Sequence, residues 1–358
     1  MEGKVKTNMR KTLTRKDGVA AVYGGGVLGG GGGGHIETGL AQVEEVFANG
    51  TGPELVTLDE ISPMATTACV ALVGAPSAED TSVSTDQLIG TVRDLQSSTG
   101  VELAALMTNE NGPATSTNGW LQASALNLPI LDAPANGRAH PTGIMGSLGL
   151  HKETDYQSTQ AFAGGAGDRS LSGVVRGGLN TTAKAVRKLS VLAGGMVGVC
   201  RNPVSIARVR ENAAIGAISR AIDVGRAHMD GSTGRDKIGN VVDLLGGKVQ
   251  VQDTVRSVDL RKEGGFDVGE IHIGTAELTF WNEYMTLEIS GQRLATFPDL
   301  IMTLDTETGL PIVSAGVEAG QNLTVITVNR DQLILGSSMF DLDLLRGIEP
   351  IVKKPIAS

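Results

Sequence analysis

The chain has 358 residues, 41% of them hydrophobic and 19% charged, which is enough apolar material for about two domains at roughly 150 residues each. Thirty lysines and arginines against 39 aspartates and glutamates leave a net charge of −9, which argues against a dedicated nucleic-acid binder. Two cysteines, Cys69 and Cys200, cannot build a disulfide scaffold and fit a reducing compartment, so the cytoplasm is the expected location.

The first local signal is LTRKD, in which Thr14 can cap a helix and Asp17, three residues on, completes an acidic capping box. This predicts a helix over residues 15–28, with a strand over residues 19–23 as the alternative. A glycine tract follows, with nine glycines between Gly24 and Gly34. The uncharged stretch over residues 18–36 has the length of a membrane span, but more than half of it is glycine, which has no hydrocarbon to bury. No membrane partner is expected. A second helix runs from His35 to a natural stop at Gly50. Short apolar runs at 54–58, 69–74, 101–107 and 129–131 then alternate with helical stretches at 85–97 and 117–127. That alternation predicts an α/β domain with a mostly parallel sheet.

From about residue 164 the spacing changes. Apolar residues three and four apart predict two long helices over 174–195 and 205–230, separated by a short apolar stretch at 196–199. After Gly246 side-chain character alternates every second residue at 248–261, 266–274, 277–290 and 323–328, which predicts strands. The expected organisation is an α/β domain over residues 1–165 carrying the glycine-rich loop. A C-terminal domain over 166–358 follows, helical through 170–245 and β-rich through 246–358.

The chemistry-bearing residues fall in three groups. Gly24, Gly26 and Gly29 satisfy G-x-G-x-x-G, though a run this rich in glycine matches it almost automatically, and Asp59, the ribose candidate, lies about 30 residues on instead of ~20. Without a nucleotide, Gly31, Gly32, Gly33, Gly34 and His35 still let backbone amides converge on a polar or anionic ligand at the start of the next helix. Glu110, Asn111 and Gly112 follow one apolar run and Asp132 another, which would place both groups at the carboxyl edge of a parallel sheet. Arg138 and His140 lie in the next loop. One carboxylate could serve as base, a second polar group as acid and Arg138 as an anion clamp. On the structural reading, Asp132 caps a helix and Arg138 pairs with it. Finally, Asn282 and Glu283 interrupt the apolar string TFWNEYM and require buried partners or a ligand. The five histidines, His35, His140, His151, His228 and His272, show no metal-ligand spacing. No cofactor is expected, and a discontinuous metal site stays open.

The strings LGGGGGGHIETG, NGWLQASALNLPILDAPANGRAHP, GGFDVGEIHIG, FWNEYM, FPDLI and ETGLPI occur in this order. Together they resemble the S-methyl thiohydantoin desulfurase family, a former domain-of-unknown-function family associated with hydantoinases and oxoprolinases. The resemblance runs from about Met9 to near the C-terminus, with residues 1–8 as an extension. It implies an α/β domain followed by a β-rich one, and hydrolytic removal of sulfur from a five-membered thiohydantoin ring. Glu110 falls where the family shows an acidic residue, and Asn282 and Glu283 match its NE. Departures are clear too: Gly30 stands at a Thr-like position, and His35, Pro134 and Thr142 replace acidic residues, while His140 replaces Phe.

The resulting expectation is a hydrolase acting on a small cyclic amide or thioamide. Glu110 or Asp132 would be the base and His140 the acid. Gly31, Gly32, Gly33, Gly34, His35, Asn111, Gly112, Arg138, Asn282 and Glu283 would hold the substrate. Two other classes stay open: a non-catalytic partner of a hydantoinase- or oxoprolinase-type protein, and a nucleotide-binding protein. Homo-oligomerisation is left open as well.

Overall fold

The computed structural model describes residues 10–48, 50–74 and 81–357, so residues 1–8, read as an extension, lie outside it. The first sheet has eight strands: β1 (Lys11–Thr12), β2 (Glu54–Val56), β3 (Thr66–Gly74), β4 (Leu103–Thr108), β5 (Ile130–Leu131), β6 (Gln157–Gly164), β7 (Leu171–Gly178) and β8 (Met196–Ser205). Their order is β1-β2-β5-β4-β3-β8-β6-β7. Only the three pairings within β2-β5-β4-β3 are parallel; the other four are antiparallel. The expected α/β layering is present, but the sheet is mixed. Parallel strands need long crossovers, and helices supply these only in the first half of the sheet.

Helices α1 (Arg15–Leu28), α2 (Ile36–Val46), α3 (Thr85–Thr99) and α4 (Trp120–Leu126) pack on one face, with Val22, Val43, Val92 and Trp120 in a core against Ala68, Val70 and Leu106. On the other face α5 (Leu179–Leu192) lays Val186 on Val73, Val197 and Val199. Helix α1 begins as its capping box predicts: the Thr14 hydroxyl accepts the Asp17 N–H and the Asp17 carboxylate accepts the Thr14 N–H.

The helical reading of residues 170–245 needs correction in two places. Residues 171–178 form strand β7, in which half-buried and exposed positions alternate, and residues 196–205 form β8. The turn-by-turn spacing of α5 had masked the two-residue period just before it. The remaining stretch is helical, but the one long helix expected over 205–230 is two, α6 (Ile206–Asn212) and α7 (Ala217–Met229), parted where Ala213 turns extended and Gly216 takes φ = +85°; α8 (Gly234–Leu245) follows. Among the described residues no helix is long and apolar enough to cross a membrane.

The second sheet is antiparallel throughout: β9 (Lys248–Glu263), β10 (Phe266–Ile273), β11 (Ala276–Trp281), β12 (Glu283–Ile289), β13 (Gln292–Thr296), β14 (Leu300–Asp305), β15 (Pro311–Ile312) and β16 (Asn322–Val328), in the order β13-β12-β11-β10-β9-β16-β14-β15. Sixteen-residue β9 holds it together by pairing with β10 along one part of its length and β16 along another.

The two halves meet along the glycine tract. Gly24, Gly25 and Gly26 lie inside α1, so the strand-to-helix turn of a dinucleotide site is absent. A Cβ on Gly24 would collide with the Ala221 carbonyl of α7, and one on Gly225 with the Ala20 carbonyl of α1. The two helix backbones therefore touch. Further on, the Gly30 carbonyl accepts the Tyr284 N–H at 2.8 Å, the Gly31 carbonyl accepts the Ser314 N–H at 2.9 Å, and the Gly33 carbonyl accepts the Ala114 N–H at 2.8 Å. This ribbon is bonded to the second sheet on one side and to the loop after β4 on the other.

Candidate functional site

A cavity of about 530 Å³ opens where the carboxyl ends of β3 and β4, the start of α2 and one face of α5 meet the β10–β12 region of the second sheet. That volume suits a small-molecule ligand. Gly33, Gly34 and His35 reach it from the glycine ribbon, Glu110 and His140 from the loops after β4 and β5, and Asn282 and Glu283 from the β11–β12 turn. Among the described residues, the amides of Gly33 and Gly34 find no backbone acceptor.

Glu110 is the centre of the polar wall. It is 6% exposed and accepts the His140 backbone N–H at 3.3 Å. The His140 ring lies against the same carboxylate oxygen, with Nε2 at 3.4 Å, while Nδ1 is 2.9 Å from the Thr142 carbonyl. A carbonyl can only accept, so Nδ1 carries the ring proton and Nε2 presents a lone pair. Burial, reinforced by the charge of Arg201, holds the imidazole down to about 3, so the ring is neutral. Burial pushes the Glu110 carboxyl up to about 7, against the pull of the His140 N–H and the Arg201 charge. Glu283 is 2% exposed, its Oε2 has no hydrogen-bond partner among the described residues, and burial followed by the charge of Glu110 drives it well above the usual carboxylate range. The two carboxyls therefore interact: the charge of Glu110 is one of the causes that raise Glu283.

Several expected site residues lie elsewhere. Asp132 is not in the cavity wall: its Oδ1 accepts the Ile218 and Ser219 N–H groups at 3.0 and 3.1 Å, and its Oδ2 accepts the Ser219 hydroxyl at 2.5 Å. It satisfies the orphan donors at the start of α7, the structural alternative for this residue. Arg138 does not pair with Asp132 and does not line the cavity. Its guanidinium is buried, donates to the Pro298 and Asp299 carbonyls at 3.0 and 2.5 Å, and lies 4.8 Å from the centre of the Phe297 ring. Asn111 donates to the Gly137 and Ala217 carbonyls, and Gly112 packs its Cα against Gly33. Gly31 sits under the Tyr284 ring and Gly32 against the Glu283 carboxyl, where side chains would collide. His140, expected as the acid, has its one ring proton committed to a carbonyl. Asn282 adopts φ = +56° at the β11–β12 turn and exchanges hydrogen bonds with the Asp267 backbone, which explains a buried polar residue there.

With this geometry in view, two family models match the sequence: the S-Me-THD-like N-terminal domain over residues 20–171 and the S-Me-THD-like C-terminal domain over residues 179–339. The chain belongs to the S-Me-THD-like family. An X-ray crystal structure of a protein from Chromobacterium violaceum has the same fold, with a TM-score of 0.70 at 20% sequence identity, over 97% of this chain and 99% of that one. No curated protein matches the sequence.

In this S-Me-THD-like chain the cavity also uses residues that the sequence reading passed over. Asn180, Ala183, Lys184 and Arg187, spaced three and four apart, turn one face of α5 to the cavity. Arg187 donates to the Gly74 and Gly265 carbonyls at 2.8 and 3.1 Å and stacks 4.3 Å over Phe266, bridging the two halves. Arg201 of β8 and Gln160 of β6 face each other in the strand register and both line the cavity. The available signal was Arg201 itself, two and four residues from the buried Val199 and Val197 and so on their side of the strand. Among the described residues, the one grouping with metal-ligand chemistry is Glu270, His272 and Glu277 on the second sheet. Glu277 already pairs with Lys354 at 2.6 Å and Glu270 with His272 at 2.5 Å, and none of the three lines the cavity.

Proposed function

We propose that this protein hydrolyses a small cyclic amide or thioamide, such as an S-methyl thiohydantoin, with Glu110 as the proton-transferring group. The observation that carries this reading is a buried carboxyl, pushed up to about 7, in the wall of a cavity also lined by Gly33 and Gly34, whose amides find no backbone acceptor among the described residues. A base of that pKa balances the fraction ionised against the strength with which it takes a proton.

Ionised Glu110 takes a proton from water as the water oxygen bonds to the ring carbon that bears sulfur. The electron pair of the C=N bond moves to the ring nitrogen. When the carbon–sulfur bond breaks, methanethiolate leaves with its electron pair and takes the proton back from Glu110. The ring retains the oxygen as a carbonyl after a proton shift to nitrogen. The Gly33 and Gly34 amides, at the positive end of α2, stabilise the charge that develops on the ring. The His140 lone pair holds the protonated form of Glu110 in place, which makes His140 a positioning residue.

Methanethiol release from an S-methyl thiohydantoin tests the reading. Glu110→Gln should lose at least about 100-fold in turnover if proton transfer limits the rate. A wild-type rate in that variant removes Glu110 from the chemistry, and absence of turnover in the wild type removes the reaction.

A further inference from the structure

One polar atom in the cavity wall has its chemical sense fixed by its neighbours. Gln160 is 1% exposed, and its Nε2 donates to the Ser158 and Thr182 hydroxyls at 3.0 and 3.1 Å. The Thr182 hydroxyl spends its proton on main-chain carbonyls, Leu179 at 3.0 Å and Gly178 at 3.2 Å. Its oxygen can therefore only accept from Gln160. Ser158 likewise donates to Asn202 Oδ1 at 2.7 Å. These bonds forbid a flip of the Gln160 amide, since reversing it would set Oε1 against two hydroxyls whose protons are already used. Oε1 is left without a hydrogen-bond partner, buried, on a side chain that lines the cavity. An unpaired buried acceptor is costly, and an incoming N–H or O–H would satisfy it.

Directly across the strand pair stands Arg201, also in the cavity wall, 5% exposed and without a carboxylate ion pair among the described residues. Opposite neighbours on antiparallel strands hold their Cβ atoms about 5 Å apart. The wall thus offers one acceptor beside one donor. Open-chain amides are trans and point their N–H and C=O in opposite directions. An amide inside a small ring is cis and presents both on one edge.

We propose that Gln160 and Arg201 form a reader for the cis-amide edge of a lactam ring, with Gln160 Oε1 accepting the ring N–H and Arg201 donating to the adjacent carbonyl. This rests on the cyclic-amide reading above and narrows the substrate class to rings with an unsubstituted N–H bonded to a carbonyl carbon. In an S-methyl thiohydantoin a single ring nitrogen meets that condition, N3, which lies between the sulfur-bearing carbon and the carbonyl.

Two isomeric probes of equal size separate the outcomes. 1,5-Dimethylhydantoin keeps the N3–H edge, whereas 1,3-dimethylhydantoin has no ring N–H left. Titration calorimetry on the wild-type protein should show 1,5-dimethylhydantoin binding at least about tenfold more tightly, as expected when a buried acceptor loses its donor. Gln160→Met should bring the two isomers close together. Thr182→Val, which releases the amide to turn, should narrow the gap in a variant that keeps Gln160. Equal binding of the isomers by the wild type, or a preference for 1,3-dimethylhydantoin, overturns the reader. If that occurs while methanethiol release persists, the reader alone fails; if neither isomer binds and no turnover is seen, the cyclic-amide reading falls with it.

Discussion

Glu110 and Asp132 occupy equivalent places in the fold, just beyond the carboxyl ends of the neighbouring parallel strands β4 and β5, and they have opposite surroundings. Asp132 accepts three short hydrogen bonds from the first turn of α7. Glu110 receives one long bond from a backbone N–H and faces a neutral imidazole, and burial pushes its carboxyl up to about 7. Position at a sheet edge therefore creates only the opportunity for chemistry. A helix start placed over one carboxylate turns it into a structural cap, and its absence over the other leaves a group that can exchange a proton.

This contrast can be broken most directly by removing the two charges in turn. Glu110→Gln carries the largest expected effect, the loss of at least about 100-fold in methanethiol release, while Asp132→Asn should keep its rate per folded molecule. Next comes a pH signature. Between the ordinary carboxyl value of 4.5 and about 7, the folded protein retains a proton on Glu110 that the unfolded chain has released. Stability must then fall as pH rises through that window. Urea titrations should show the wild type losing on the order of 2–3 kcal/mol relative to Glu110→Gln between pH 4.5 and 7; parallel curves would mean that Glu110 is solvated. Asp132→Ala should lower unfolding free energy by about 2 kcal/mol, since it strands two backbone donors and a hydroxyl. Ser219→Ala, which removes one of the three bonds, should cost about 1 kcal/mol by the same measurement. A larger loss from Ser219→Ala than from Asp132→Ala would contradict the cap.

Local signals were legible where a short string determines the geometry. The Thr14–Asp17 capping box started α1, and the two-residue alternation after Gly246 marked the strands of the second sheet. The glycine tract, expected to gather backbone amides around a ligand, proves to be a place of close backbone approach, and Glu110 lies just past a strand end as expected. What the sequence did not reveal depended on partners far along the chain. Nothing near Asp132 announces that α7, about 85 residues later, will begin on it. Nothing near Arg138 announces the Pro298 and Asp299 carbonyls. Arg201 and Gln160 were overlooked because β8 was read as a break between helices, which hid the face that its side chains share with β6.

The bonds that the glycine ribbon makes at Gly30, Gly31 and Gly33 have an architectural consequence. Since residues of both halves line the pocket, its walls are complete only when the second sheet is docked on the first half of the polypeptide. The amino-terminal half alone would offer an open shelf. Mutations near Tyr284 or Ser314 should therefore reshape the cavity around Glu110 without touching it, by undoing the stitching that brings the two walls together.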